Sequence, residues 1–197
     1  MNKESKNEKS AVPNVDLFFS IVSVAVAIEK PQYDILERHG SVEIRQYPRV
    51  IVAGTKVQQP YRTALYSGFR SIANYIFGGN DGDMKIAMTA PVISHQVEKN
   101  VETHEILFIM PKKYKMDNLP KPDRGDVYLE ERALGKIASI RFGGWATEKR
   151  VFRYQAKLFR KMSKLGLEQI GPPMVAQYNS PWALPPFRRN EILIQIR

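Results

Sequence analysis

Two stretches of helical period stand 86 positions apart in a chain whose other apolar residues alternate or gather in short runs. Leu65, Phe69, Ile72, Ala73 and Ile76 recur at helical spacing between Tyr61 and Phe77, and Gly78-Gly79-Asn80 ends the run. From Thr147, a residue suited to an N-cap, a second run carries Val151, Tyr154, Leu158, Met162 and Leu165 on one face as far as Gly166. Shifting the first run by 86 lays Leu65 on Val151, Ile72 on Leu158 and Ile76 on Met162. A chain built this way is constrained to two copies of one strand-rich unit, each with a single helix.

The intervening segments read as strands. Val42, Ile44 and Gln46 alternate with Glu43, Arg45 and Tyr47, which gives the segment two faces before Pro48 ends it. Further strands are expected at Val50–Val57, Ile86–Met88, Val92–Val97, Glu105–Met110, Val127–Glu130, Lys136–Phe142, Met174–Tyr178 and Glu191–Ile196, with the proline-rich 111–123 as a long connection. The predicted class is α+β: a distorted antiparallel β-barrel of about eight strands from a duplicated half, flanked by two α-helices. Closure removes the exposed strand edges that an open sheet would leave.

Composition narrows the partners. The chain has 197 residues, 43% of them hydrophobic, enough for one domain with a sizeable core. A net charge of +10 favours anionic partners: nucleic acid, an acidic membrane surface, or a small ligand bearing carboxylates. With no cysteine, disulfides, zinc-thiolate sites, iron–sulfur clusters and a thiolate haem ligand are excluded. Residues 1–28 form a separate region in which a mixed-charge stretch, Lys3–Lys9, precedes the uncharged Leu17–Ile28 with Ala25-Val26-Ala27, a small-x-small pattern. This predicts a signal peptide or N-terminal membrane anchor. The protein would then be exported, periplasmic or secreted, or held at a membrane by its N-terminus, the alternative being a cytoplasmic location. The run is short against the about 20 apolar residues that span a bilayer.

Several motifs occur in a fixed order: Glu43-Ile44-Arg45 with Tyr47, Gly68-Phe69, Tyr75-Ile76 with Gly78 and Asn80, Met88-Thr89 with Pro91-Val92, Glu131-Arg132, and Tyr178-Asn179 with Pro181 and Arg189-Asn190-Glu191. Together they resemble the SOUL haem-binding proteins over residues 29–197. The resemblance implies a barrel flanked by two helices and a non-catalytic carrier of haem or another tetrapyrrole, held in a shallow apolar cleft with basic groups near the propionates. It places the cleft beside the first helix, at Tyr66, Phe69, Arg70, Ala73, Asn74 and Phe77, and beside the loop before the last strand, at Trp182, Leu184, Phe187 and Arg188. On the residues themselves, Phe69 also belongs to the core stripe, and Phe77 can staple the helix end. Axial ligation is not provided for: His39, His95 and His104 lie outside both cleft segments, and Gln46 stands where some SOUL relatives carry histidine. Tyr66 is a conceivable oxygen ligand, but strong ligation is not expected.

Other constellations carry less. Gly78–Gly82 follows a helix and contains acids, so it is a turn and not a phosphate loop. Glu130-Glu131 and the Asp81/Asp83 pair lie beside Arg132 and Lys85 and read as solvated charge. No nucleophile elbow, metalloprotease helix or Walker motif occurs, and no catalytic or metal-binding residue is assigned. The same architecture resembles effector-binding modules of multidrug-responsive regulators and gyrase-inhibitor-like proteins, which offers an alternative: a site for another planar hydrophobic ligand. There a buried glutamate would favour a cation, arginines an anion. Nucleic-acid binding is motivated by Lys149, Arg150, Arg153, Lys157, Arg160, Lys161 and Lys164 on the second helix. No base-reading motif accompanies them, so no nucleic-acid partner is expected and a solvated or membrane-facing surface is preferred.

Overall fold

The computed structural model of the protein describes residues 28–97, 101–179 and 183–197. The chain runs through β1 (Asp34–His39), β2 (Val42–Gln58), α1 (Tyr61–Ile76), β3 (Val92–Gln96), β4 (Thr103–Ile109), β5 (Tyr128–Gly143), α2 (Glu148–Lys164), β6 (Met174–Gln177) and β7 (Arg189–Gln195). The apolar run predicted as a signal peptide or anchor lies outside the described residues except for Ile28.

β2 and β5 pair antiparallel over most of their length, from Val42 opposite Ile140 to Gly54 opposite Tyr128. Around the sheet the order is β2-β4-β3-β6-β7-β5, and the β2–β5 pairing closes it into an antiparallel barrel of six strands, with β1 added alongside β2. The predicted eight strands differ from this in three ways. Two pairs of expected strands are continuous: β2 passes through Pro48, and β5 passes through Gly135, whose φ of +61° places it opposite Tyr47 in a conformation few other residues tolerate. Pro48 is accommodated because β2 is changing partners there, from β1, which it leaves at Gln46, to β4, which it joins at Val52. Residues 86–88 form no strand, because Ile86 is buried under α1 and bonds to the Ile76 carbonyl at 2.8 Å. β1 went unpredicted since its side chains are almost all exposed and carry no alternating burial signal.

Alternate residues of the same strands divide among three apolar clusters. Val52, Ile93, Leu107, Ile137, Ala176 and Leu193 pack with one another in the barrel. On the other face, α1 buries Ile72, Tyr75 and Ile76 against Ala53, Ile106 and Phe108. Gly68 lets α1 approach closely, since a Cβ there would meet the Ile106 side chain at 2.8 Å. α2 buries Val151, Leu158 and Met162 against Val42, Ile44, Ala138, Ile140 and Ile192. The Thr147 hydroxyl caps α2 by accepting from the Arg150 amide at 3.4 Å, whereas α1 starts after Pro60 with no side-chain cap.

The duplication is visible in these boundaries. The same 86-residue shift carries β4 onto β7 residue for residue and brings β2 onto β5, and α1 onto α2, to within one or two residues at each end.

Candidate functional site

α1 turns one side to the barrel and the other to solvent, which separates the residues predicted on it. Phe69 is half-buried in the α1 cluster with its ring 5.6 Å from that of Phe108, and Ala73 is also half-buried. Tyr66 and Phe77 are 65% and 57% exposed, Asn74 is exposed, and the Arg70 guanidinium lies 5.8 Å from the Tyr66 ring. Tyr66, Arg70 and Phe77 thus leave an aromatic and cationic strip free on the helix.

In the second segment, Trp182 lies outside the described residues. Leu184, which precedes a 3-10 turn at Pro185–Phe187, and Phe187, which ends it, are 65% and 74% exposed. Arg188 is turned inward: its Nε donates to the Ala183 carbonyl at 2.8 Å and its guanidinium stacks 3.6 Å from the centre of the Trp145 ring. Burial lowers its pKa, so stacking and hydrogen bonding compensate for lost water. Trp145, half exposed just before α2, was not foreseen; its signal was an aromatic directly after Gly143-Gly144. Among the described residues no hydrogen bond, ion pair or ring contact joins α1 to residues 184–188.

Residues of the ordered motifs converge in the barrel. Arg45 Nη1 donates to Glu191 Oε2 at 2.7 Å and its Nη2 to Oε1 at 3.2 Å, while Arg189 Nη2 reaches the same Oε1 at 2.7 Å. The Tyr178 hydroxyl donates to Glu191 at 2.8 Å, Arg45 also bonds Glu43 and Tyr47, and the Tyr33 ring covers the Arg45 guanidinium at 4.3 Å. Burial pushes the Glu191 carboxyl up, but Arg45 and Arg189 outweigh it and hold it below the usual carboxylate range. Tyr47 is pushed up to about 12, chiefly by burial.

A second cluster surrounds Glu105. It accepts from Tyr128 at 2.6 Å and from Arg132 at 2.8 Å, and His95 Nε2 stands 3.3 Å away. Gly54 makes room for Tyr128, since a Cβ there would lie 2.4 Å from the ring. Burial would raise the Glu105 pKa, yet its hydrogen bonds and the Arg132 charge bring it below the usual range, while burial lowers His95. Both carboxylates are therefore neutralised by arginine, and neither is available as a bare negative charge or as a proton acceptor near pH 7.

Two concavities open beside the barrel. One, of about 630 Å³, is bounded by Arg38, Arg45 and Arg141, and the other, of about 1780 Å³, by Tyr47, Arg49, Lys112 and Tyr178. Neither is lined by the residues predicted on α1 or in the 184–188 segment.

The profile of SOUL heme-binding proteins matches residues 28–195. This chain belongs to the SOUL haem-binding protein family. Heme-binding protein 2 of Mus musculus is 32% identical, covering 93% of this chain and 94% of that protein, and the Homo sapiens protein is likewise 32% identical over 88% and 89%. Among solved structures, a Listeria innocua hydrolase superposes with a TM-score of 0.57 at 11% identity, covering 82% of this chain and 94% of its own. The EcmrR C-terminal domain gives 0.60 at 13%, covering 84% and 98%. Likenesses at such low identity show the fold alone.

For a SOUL protein, the chemistry to test is that of an apolar plate carrying two carboxylates and an iron. Tyr66, Phe77, Leu184 and Phe187 offer exposed apolar surface, and Arg70 an accessible cation beside it. The histidines stand elsewhere: His39 meets Glu37 at 2.7 Å, His95 faces Glu105, and His104 packs edge-on against Tyr61. The residues thus fit the plate and its carboxylates better than the metal.

Proposed function

We propose that this SOUL protein is a non-catalytic binder of haem or a related tetrapyrrole, taking the ligand's face on the exposed side of α1 and on the Leu184–Phe187 turn. The observation that carries the reading is the exposure of Tyr66, Phe77, Leu184 and Phe187 in a chain of this family. Contiguous exposed apolar surface marks binding sites, where scattered single side chains do not. Arg70 would pair with a propionate. Arg188, stacked on Trp145, would brace the turn and keep Leu184 and Phe187 presented. Iron would go without a histidine from the protein.

Titration of the full chain with hemin and with metal-free protoporphyrin, followed by the Soret band and tryptophan quenching, tests this. Comparable affinities are expected, together with a loss of several-fold in Phe187→Ala and Tyr66→Ala. A strong preference for hemin would reveal an iron ligand, and saturation by neither would remove the tetrapyrrole reading. The alternative of a cationic planar ligand has less support, because Glu191 and Glu105 each already hold an arginine. We propose further that Leu17–Ile28 directs export or anchors the chain; the N-terminal mass of protein recovered outside the cytoplasm would show cleavage after Ala27 or its absence.

A further inference from the structure

The outer face of α2 is charged in one line. Lys149, Arg153, Lys157, Arg160 and Lys164 follow one another at spacings of three and four residues, and all are exposed. At 1.5 Å per residue they form a stripe roughly 22 Å long. None is in an ion pair with a described residue, and Glu148 is the only acid in the helix. Two further cations on α2 are directed elsewhere: Arg150 Nη2 donates to the Gly143 carbonyl at 2.6 Å, and Lys161 is half-buried. The stripe stays fixed in place because Val151, Leu158 and Met162 hold the opposite side of α2 on the barrel.

Phe152 borders this stripe and is 68% exposed. It is not packed against the core beneath α2 and leaves a phenyl ring at the edge of the five cations. An anionic bilayer suits both features, with headgroup phosphates and carboxylates against the cations and the ring seated at the interface. Double-stranded nucleic acid suits them less. Its phosphates would meet the five cations, but the exposed phenyl ring gains little against a phosphodiester backbone.

We infer that the outer face of α2 is a docking surface for anionic membranes, independent of the tetrapyrrole site and of the N-terminal apolar run. The full chain is to be sedimented with vesicles of phosphatidylcholine alone and of equal parts phosphatidylcholine and phosphatidylserine. Partitioning onto the serine lipid is expected to be far stronger and to fall steeply with salt. Lys157→Gln combined with Arg160→Gln should lower it roughly 25-fold, about fivefold for each charge removed. Phe152→Ala should weaken it several-fold with an unchanged salt dependence. Lys121→Gln combined with Lys136→Gln removes the same net charge from exposed positions on other elements and should have little effect.

Binding through the N-terminal run would be equal on both vesicles and indifferent to the α2 changes, so that pattern would overturn the inference. It would equally fail if neither vesicle binds, if the control pair loses as much as the stripe pair, or if duplex DNA is held more tightly than the serine vesicles at the same salt. All variants alter exposed side chains and should keep the melting temperature and hemin affinity of the parent.

Discussion

Glu105 on β4 and Glu191 on β7 occupy equivalent positions in the two halves, 86 residues apart, yet they have been neutralised differently. Glu191 is fully buried between two arginines and a tyrosine. Glu105 has one arginine, whose side chain is 24% exposed, one tyrosine and a histidine. In each case an arginine comes from the long strand two places round the barrel: Arg45 of β2 for Glu191, Arg132 of β5 for Glu105. The duplication thus supplied a buried acid in both halves, and each half solved the charge problem with its own substitutions. The first cluster locks the fold; the second holds a histidine whose pKa burial depresses.

The largest effect should come from breaking the Glu191 cluster. Glu191→Gln leaves Arg45 and Arg189 facing a neutral amide in a buried site, and Arg45→Ala leaves the carboxylate short of its main partner. Either should cost about 3–5 kcal/mol in urea unfolding, as for other buried pairs deprived of one member. Replacing Arg45 by Met together with Glu191 by Leu should recover much of that loss, since that buried pair of charges leaves together and Arg189, partly exposed, can turn to water. If the double variant is as unstable as the singles, the hydrogen bonds and not the charges hold this end of the barrel.

Glu105→Gln should cost less, about 1–3 kcal/mol, because water can reach the released Arg132 side chain. Equal losses at the two glutamates would erase the distinction drawn between them.

How far these clusters could be read in the sequence follows from their geometry. Barrel class, duplication and both helices were legible, because the 3.6-residue period and the glycine stops at Gly78 and Gly166 are local signals. Strand continuity was not: Pro48 looks like a strand end, and only the change of partner from β1 to β4 shows why it is tolerated. Arg45 and Glu191 are 146 residues apart, so each appeared as a polar residue in a strand until closure of the barrel brought them together. For the candidate site, nothing local marks Tyr66, Phe77, Leu184 and Phe187 as exposed and not buried, and the Arg188–Trp145 stack depends on a long-range contact that no local pattern announces.

The two clusters should also separate by pH. His95 faces Glu105, Arg132, His104 and Lys56, and burial depresses its pKa below the ordinary 6.5. A depressed histidine favours the neutral form in the folded state, so its contribution is complete above about pH 6.5 and is lost as pH falls from there through the lower folded value. His104 is shifted the same way. The parent should therefore lose stability on moderate acidification, and His95→Gln should lose less over the same range. Glu191 and Glu105, both depressed, would add their losses at more acid pH, as it falls from the ordinary carboxylate range through their lower folded values. Chemical unfolding at a series of pH values resolves the stages; an unchanged profile in His95→Gln would assign the first stage to His104.

The smallest difference between the halves lies at the helix starts. Thr147 caps α2 through a 3.4 Å bond, which is long, so Thr147→Ala should cost only about 0.5 kcal/mol, the low end for such caps. α1 begins after Pro60 with no side-chain acceptor and no acid in its first turn. Pro60→Asp would supply both, yet it also frees the unfolded chain from a fixed φ, a loss of about 0.4–1 kcal/mol that offsets a cap of similar size. The net change should be close to zero. A clear gain in melting temperature would mean that the start of α1 is underdetermined in the parent, and with it the placement of Tyr61 against His104. A clear loss would mean that Pro60 itself fixes the turn from β2 into α1, so that the first half relies on backbone stiffness where the second relies on a hydroxyl.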